Sequence, residues 1–178
     1  MAYGNEVMLA LRWEVVRELA TGAWIDPHTV DEATFRDHVV LPLRRQLNPL
    51  LLEAHLQIIR TRFDPNARVT QARVIQLIVA QTPQGPREFS PFTFECVGEQ
   101  MELGDRWPDD YVCGVRLSGR YYPVWLDWED PHGGGAVVYT CWIDDSGLRA
   151  MMEEARTAIV ARIPEFARAE YIVKMTFY

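Results

Sequence analysis

Lysine is almost missing from this chain. Of its 18 basic side chains all but Lys174 are arginine, a skew of the kind that GC-rich coding produces. The arginines are scattered, so the skew does not by itself describe a surface built for bidentate contacts. Positive charge is also the minority sign. Against 25 acidic residues it leaves a formal net charge of −7. A general nucleic-acid binder needs a cationic face to neutralise phosphates, and this balance argues against one. No apolar run approaches the ~20 residues that span a bilayer. Residues 1–6 have neither the basic patch nor the apolar core of a secretory leader.

Cysteine is scarce as well. Cys96, Cys113 and Cys141 include no Cys-x-x-Cys pair of the kind metal sites use. Each sits in an apolar strand pattern, so the sequence describes small buried hydrophobes in a reducing compartment, with the cytoplasm as the default. Catalytic signatures are missing too. Gly133-Gly134-Gly135 runs into a strand pattern rather than the Gly-Lys-Ser/Thr and helix of a phosphate loop. Ser90, Ser118 and Ser146 lack the Gly-x-Ser-x-Gly elbow. No motif implies a cofactor, and none names the function.

What is present is a concentration of aromatic residues between positions 107 and 142. Tyr111, Cys113, Val115 and Leu117 alternate with polar neighbours; so do Tyr122, Val124, Leu126 and Trp128, and then Val137, Tyr139, Cys141 and Ile143. Period-two alternation rich in aromatic and β-branched residues is the strand signal. Turn residues at 118–120 and 129–135 separate the runs, which predicts a three-strand antiparallel meander.

Elsewhere the spacing of Leu9, Trp13 and Val16 predicts a helix over 5–21, stopped near Gly22. Thr29 or Asp31 can cap a second helix carrying Phe35, Val39 and Leu43, which Pro42 would kink or end. Asn48-Pro49 reads as a new helix start. Leu52, Leu56, Ile59 and Phe63 fit one helical face, yet residues 52–58 also alternate. The preferred reading is a short helix giving way to a hairpin across 64–67, with 73–80 as the partner strand. Residues 82–91 read as a loop because of Pro83, Gly85, Pro86 and Pro91. A strand at 92–96, an amphipathic helix at 146–163 ended by Pro164, and an alternating strand at 171–178 complete the pattern. Strand, helix and final strand suit a right-handed crossover.

These elements predict a single α+β domain over 1–178. Its mainly antiparallel sheet of five or six strands carries N-terminal helices and one C-terminal amphipathic helix packed on one face. Residues 1–48 form a helical part and 49–178 the part that holds the sheet.

Two surfaces attract attention. If the apolar face of the meander points inward, Arg116, Tyr121, Trp125, Asp127, Thr140, Trp142 and Asp144 point outward. Arg116, Tyr121, Trp125, Asp127 and Trp142 then have the composition of a protein interface. Another part of the same chain could equally cover that face, since tryptophan is usually buried. The loop Asp127-Trp128-Glu129-Asp130-Pro131-His132 gathers three carboxylates and an imidazole. Asp127, Glu129, Asp130 and His132 are weak metal candidates, because their spacing fits no EF-hand and a solvated hairpin loop explains them. His38 and His55 read as partnered core or boundary residues. Arg44, Arg45, Arg60, Arg62, Arg68 and Arg73 are the one concentration of positive charge, read first as a solvated face.

The expectation is a non-catalytic interaction or accessory protein. It would bind another protein, or itself, through the aromatic sheet face or an edge strand. The competing expectation is a small-molecule-binding protein or enzyme with an aromatic-lined pocket.

Overall fold

The computed structural model describes residues 3–20, 22, 24–26, 29–83, 85–96, 113–118 and 145–177. Its first element departs from the helical expectation. Tyr3–Leu11 is a strand, β1, and the helix that follows, α1, is confined to Trp13–Leu19. The stretch from Val7 to Leu11 is continuously apolar, and Met8, Leu9, Ala10 and Leu11 are all fully buried. A strand buried on both faces has no alternation to display, so helical spacing is matched by coincidence. Residues 1–48 therefore supply a sheet strand as well as helices.

Asp31 caps α2 (Glu32–Phe35), accepting from the Thr34 amide at 2.9 Å and its hydroxyl at 2.6 Å. The Thr34 hydroxyl and amide hold this exposed carboxyl below its usual range. A π-helical turn, Arg36–Val40, then leads straight into α3, Leu41–Arg62. Pro42 lies in the first turn of α3, where its missing N–H costs least. The helix changes its winding there instead of ending.

Pro49 does not start a new helix, and α3 runs through it for 22 residues. An interior proline costs about 3 kcal/mol, but each buried Leu or Ile contributes roughly 1.5–3 kcal/mol. Leu43, Leu47, Leu51 and Ile58 are buried on one side of α3, with Ile59 on another. Burial therefore outweighs the proline.

The first side of α3 packs into the main core, with Phe94, Val115, Ile159 and Phe166. The second side, Leu52, Leu56, Ile59 and Phe63, meets Ala67, Ile78, Ala80 and Phe89 in a smaller cluster. Leu52, Leu56 and Ile59 on α3, with Phe63 at its C-cap, are the helical face visible in the sequence. The expected hairpin across 64–67 is replaced by the end of α3 and a turn. Asp64 accepts there from the amides of Gln81 and Asn66, both at 2.9 Å. The hairpin lies later, joining β2 (Arg68–Ala72) to β3 (Ile75–Thr82) through Arg73 and Val74. Arg73 takes φ +58° in that turn.

Residues expected as a loop form β4, Gly85–Phe89. Pro86 is tolerated because β4 is an edge strand, paired among the described residues with β3 alone. A second, four-stranded sheet contains β5 (Thr93–Cys96), β6 (Cys113–Ser118), β1 and β7 (Glu170–Phe177) in the order β5-β6-β1-β7, with every pairing antiparallel. The fold is thus α+β with antiparallel strands, as expected, but its strands divide into sheets of four and three instead of one sheet of five or six. The division follows from α3, whose two apolar sides each need cover.

Helix α4, Asp145–Val160, fulfils the C-terminal helical expectation and is followed by a 3-10 turn at Pro164–Arg168. Arg62–Glu154 at 2.9 Å and Arg162–Glu53 at 3.4 Å link the chain around α4 to α3. Strands β6 and β7 both run antiparallel to β1, which lies between them, so they are parallel to each other. Among the described residues no helix is long and apolar enough to cross a membrane.

The cysteines hold the main surprise. Cys96 and Cys113 are fully buried, as expected, but they are joined by a disulfide between register partners of β5 and β6. The reading of both as unbridged thiols is corrected. It was also one of the two grounds for a cytoplasmic default, since disulfides persist in oxidising compartments. Cys141 lies outside the described residues.

Candidate functional site

Of the expected interface residues, only Arg116 falls on a described element, β6, opposite Met8 on β1 and Thr93 on β5. Paired residues share a sheet face, and Met8 and the next-but-one Ala10 on that face are fully buried. The face is therefore covered where β1 crosses it. Tyr121, Trp125, Asp127 and Trp142 lie outside the described residues, as do the weak metal candidates Asp127, Glu129, Asp130 and His132. Thr140 and Asp144, and the second and third strands of the meander, lie there too. Among the described residues no group of three His, Cys, Asp or Glu side chains could hold a metal ion.

Three of the six arginines in the concentration take structural roles. Arg44 donates to the Phe94 carbonyl, Arg60 to the Ala67 carbonyl at 2.9 Å, and Arg62 pairs with Glu154. Arg45, Arg68 and Arg73 are exposed.

The edges of the four-stranded sheet differ from each other. At β5, helix α3 seals the edge: Asn48 Oδ1 accepts from the Phe94 amide at 3.1 Å, and Arg44 Nε donates to the Phe94 carbonyl at 3.3 Å. Both main-chain groups of Phe94 thus point away from β6. Antiparallel ladders alternate hydrogen-bonded and non-hydrogen-bonded pairs. Phe94–Val115 and Cys96–Cys113 are therefore non-hydrogen-bonded pairs, the kind in which facing Cα atoms approach most closely. The cysteine Cα atoms are 3.9 Å apart. Replacing Asn48 with alanine orphans the Phe94 amide, so we expect a loss of about 1–3 kcal/mol in urea unfolding. A change below ~0.5 kcal/mol would show the seal to be incidental.

The same alternation can be carried across the sheet. Val115 turns its main chain toward Leu9, and Leu9 in turn faces away from Tyr171. Along β7, Ile172, Lys174 and Thr176 then bond to β1. Val173, Met175 and Phe177 direct their main-chain groups to the outer edge. Among the described residues β7 pairs with β1 alone.

A second feature lies at α1. Trp13 and Arg17 are one helical turn apart, and Trp24 and Asp26 return from the following segment. With Glu14 they line an open cleft of about 240 Å³. The two indole rings meet at 82° with centroids 5.8 Å apart, and the Arg17 guanidinium stands 5.3 Å from the Trp24 ring centre. The Trp24 indole nitrogen is buried without a hydrogen-bond partner. Sequence reading placed Trp13 in a core stripe and passed over Trp24. The only local signal was the i, i+4 spacing of Trp13 and Arg17, which is common on helices.

The comparisons are brief. Set against protein-family models, curated proteins and solved structures, the chain matches none. Function is left to the geometry.

Proposed function

We propose that this chain is a non-catalytic interaction protein that takes up an extended segment of a partner protein, or of a second copy, along the outer edge of β7. The supporting observation is the contrast between the two ends of one sheet. Helix α3 occupies the outward main-chain groups of Phe94 on β5 with Asn48 and Arg44, while the eight residues of β7 have a single strand neighbour among the described residues. Long unprotected edges invite pairing, and proteins usually blunt them. An added strand would hydrogen-bond to Val173, Met175 and Phe177, leaving the ladder to β1 intact. The aromatic residues Tyr121, Trp125 and Trp142, with Arg116 and Asp127, are proposed as side-chain contacts for the same partner.

Proline substitutions test the edge directly, because proline removes one N–H and the register assigns each N–H a direction. Val173→Pro removes an outward donor, which edge strands tolerate. It should leave the thermal midpoint near wild type and abolish association. Lys174→Pro removes a donor to β1 and should unfold the protein. Light scattering after size exclusion reads self-association, and affinity capture reads a partner. Wild-type association in folded Val173→Pro, or its loss only in Trp125→Ala and Trp142→Ala, would defeat the edge reading.

A further inference from the structure

The geometry points to a second binding function, independent of strand addition: the right-angled recess between Trp13 and Trp24 is a site for an alkylated ammonium group, where Arg17 now stands over the Trp24 ring.

The face of an indole is the strongest aromatic partner for a cation, within about 6 Å of its centre. Trp24 already holds a guanidinium at 5.3 Å, supplied by the chain itself. Rings set at 82° present two π surfaces to one corner. A planar guanidinium lies over only one of them, whereas a rounded alkylammonium group touches both. Glu14 and Asp26 line the same cleft. The exposed Glu14 carboxylate complements a cation entering it and opposes an anion that Arg17 would otherwise attract. A fully alkylated nitrogen also has no N–H to satisfy, so its burial between rings leaves no donor orphaned. The cleft, about 240 Å³, falls below the ~300–1,000 Å³ of sites for drug-sized molecules. It suits a head group rather than a whole cofactor.

Arg17 is exposed on a seven-residue helix whose buried residues are Val15, Val16 and Leu19. Its withdrawal exchanges one cation for another. The same head group can arrive on a free small molecule or on a trimethylated lysine side chain, and the shared chemistry defines the site.

The test is a fluorescence and calorimetric titration of the full chain with tetramethylammonium chloride, against sodium chloride at equal ionic strength. We expect saturable binding in wild type. In Arg17→Ala, removal of an exposed cation–π competitor worth ~0.5–1 kcal/mol should tighten binding about two- to fivefold. Trp24→Leu should abolish binding. Because that residue is partly buried, Glu14→Gln provides a second variant at an exposed position, and it should weaken binding without altering the far-ultraviolet spectrum. Choline and a trimethyllysine peptide then separate the sources. Tighter binding of the peptide assigns a protein side chain, equal binding assigns the free molecule, and both uphold the site. A response no greater than that to sodium chloride, weaker binding in Arg17→Ala, or preferential binding of acetate would overturn it.

Discussion

Replacing His55 with phenylalanine is expected to raise the stability of this protein at neutral pH and to remove much of its acid sensitivity. His55 lies on α3 between the two apolar sides of that helix and is only 1% exposed. Its ring stacks on Phe92 with centroids 4.0 Å apart and planes 4° from parallel, and it meets Phe89 edge-on at 6.4 Å. Neither ring nitrogen has a hydrogen-bond partner. The sequence led us to expect a partnered histidine; the structure gives a buried one without polar company. An orphaned buried polar group costs about 1–3 kcal/mol, and phenylalanine removes that cost at similar shape.

Burial alone drives the His55 pKa down from 6.5 to about 3, with no neighbouring charge contributing. The sign follows from proton counting. Between pH 6.5 and 3 the unfolded chain binds a proton that the folded chain excludes, so stability falls as the pH is lowered through that window. The slope approaches roughly 1.4 kcal/mol per pH unit. Carboxylates titrate in the lower half of the same range, so the informative quantity is the difference between His55→Phe and wild type. Urea midpoints from pH 7 to pH 4 should diverge progressively, with the variant more stable throughout. Parallel curves would remove His55 as the cause, and a destabilised variant at pH 7 would show that its nitrogens are satisfied.

The second large effect concerns the bridge between Cys96 and Cys113. It spans 17 positions of sequence, and closing a loop of that length lowers the entropy of the unfolded chain by an amount worth about 3 kcal/mol. For a chain of this size we expect reduction to lower the thermal midpoint by roughly 6–12 °C. The Cys96→Ala/Cys113→Ala double variant should show the same deficit and no further response to dithiothreitol. Thiol counting offers a direct check. With three cysteines in the chain and two of them bridged, the unfolded, unreduced protein should titrate one thiol, and three after reduction. Three thiols before reduction would dismiss the bridge outright.

Much of the local structure was legible in the residues. The strand at β3, the strands at β5 and β6, helix α4 and the closing strand β7 lie where their apolar periods indicated. The Asp31 cap and the α3 side bearing Leu52, Leu56, Ile59 and Phe63 could also be read in advance. The failures share a cause. β1 and α3 are both buried on more than one side, and neither shows the contrast between wet and dry faces on which period counting relies. Spacing alone makes β1 a helix and ends α3 at Pro49, whereas the structure has a strand and a continuous helix there. Pro86 likewise suggested a loop, although edge position makes proline compatible with a strand. The Trp13–Trp24 cleft was invisible because its rings come from a helix and from the segment after it.

The sequence by itself determined the class of the fold, through alternating strands and an amphipathic C-terminal helix. Those properties are local or additive, so no folded coordinates are needed to read them. The tertiary structure alone decided that two sheets share α3, that Cys96 faces Cys113, that His55 is stranded between phenyl rings, and that α3 bonds to the β5 edge while β7 has one strand neighbour among the described residues. Each of these depends on which distant segments meet, and neither spacing nor composition carries that information.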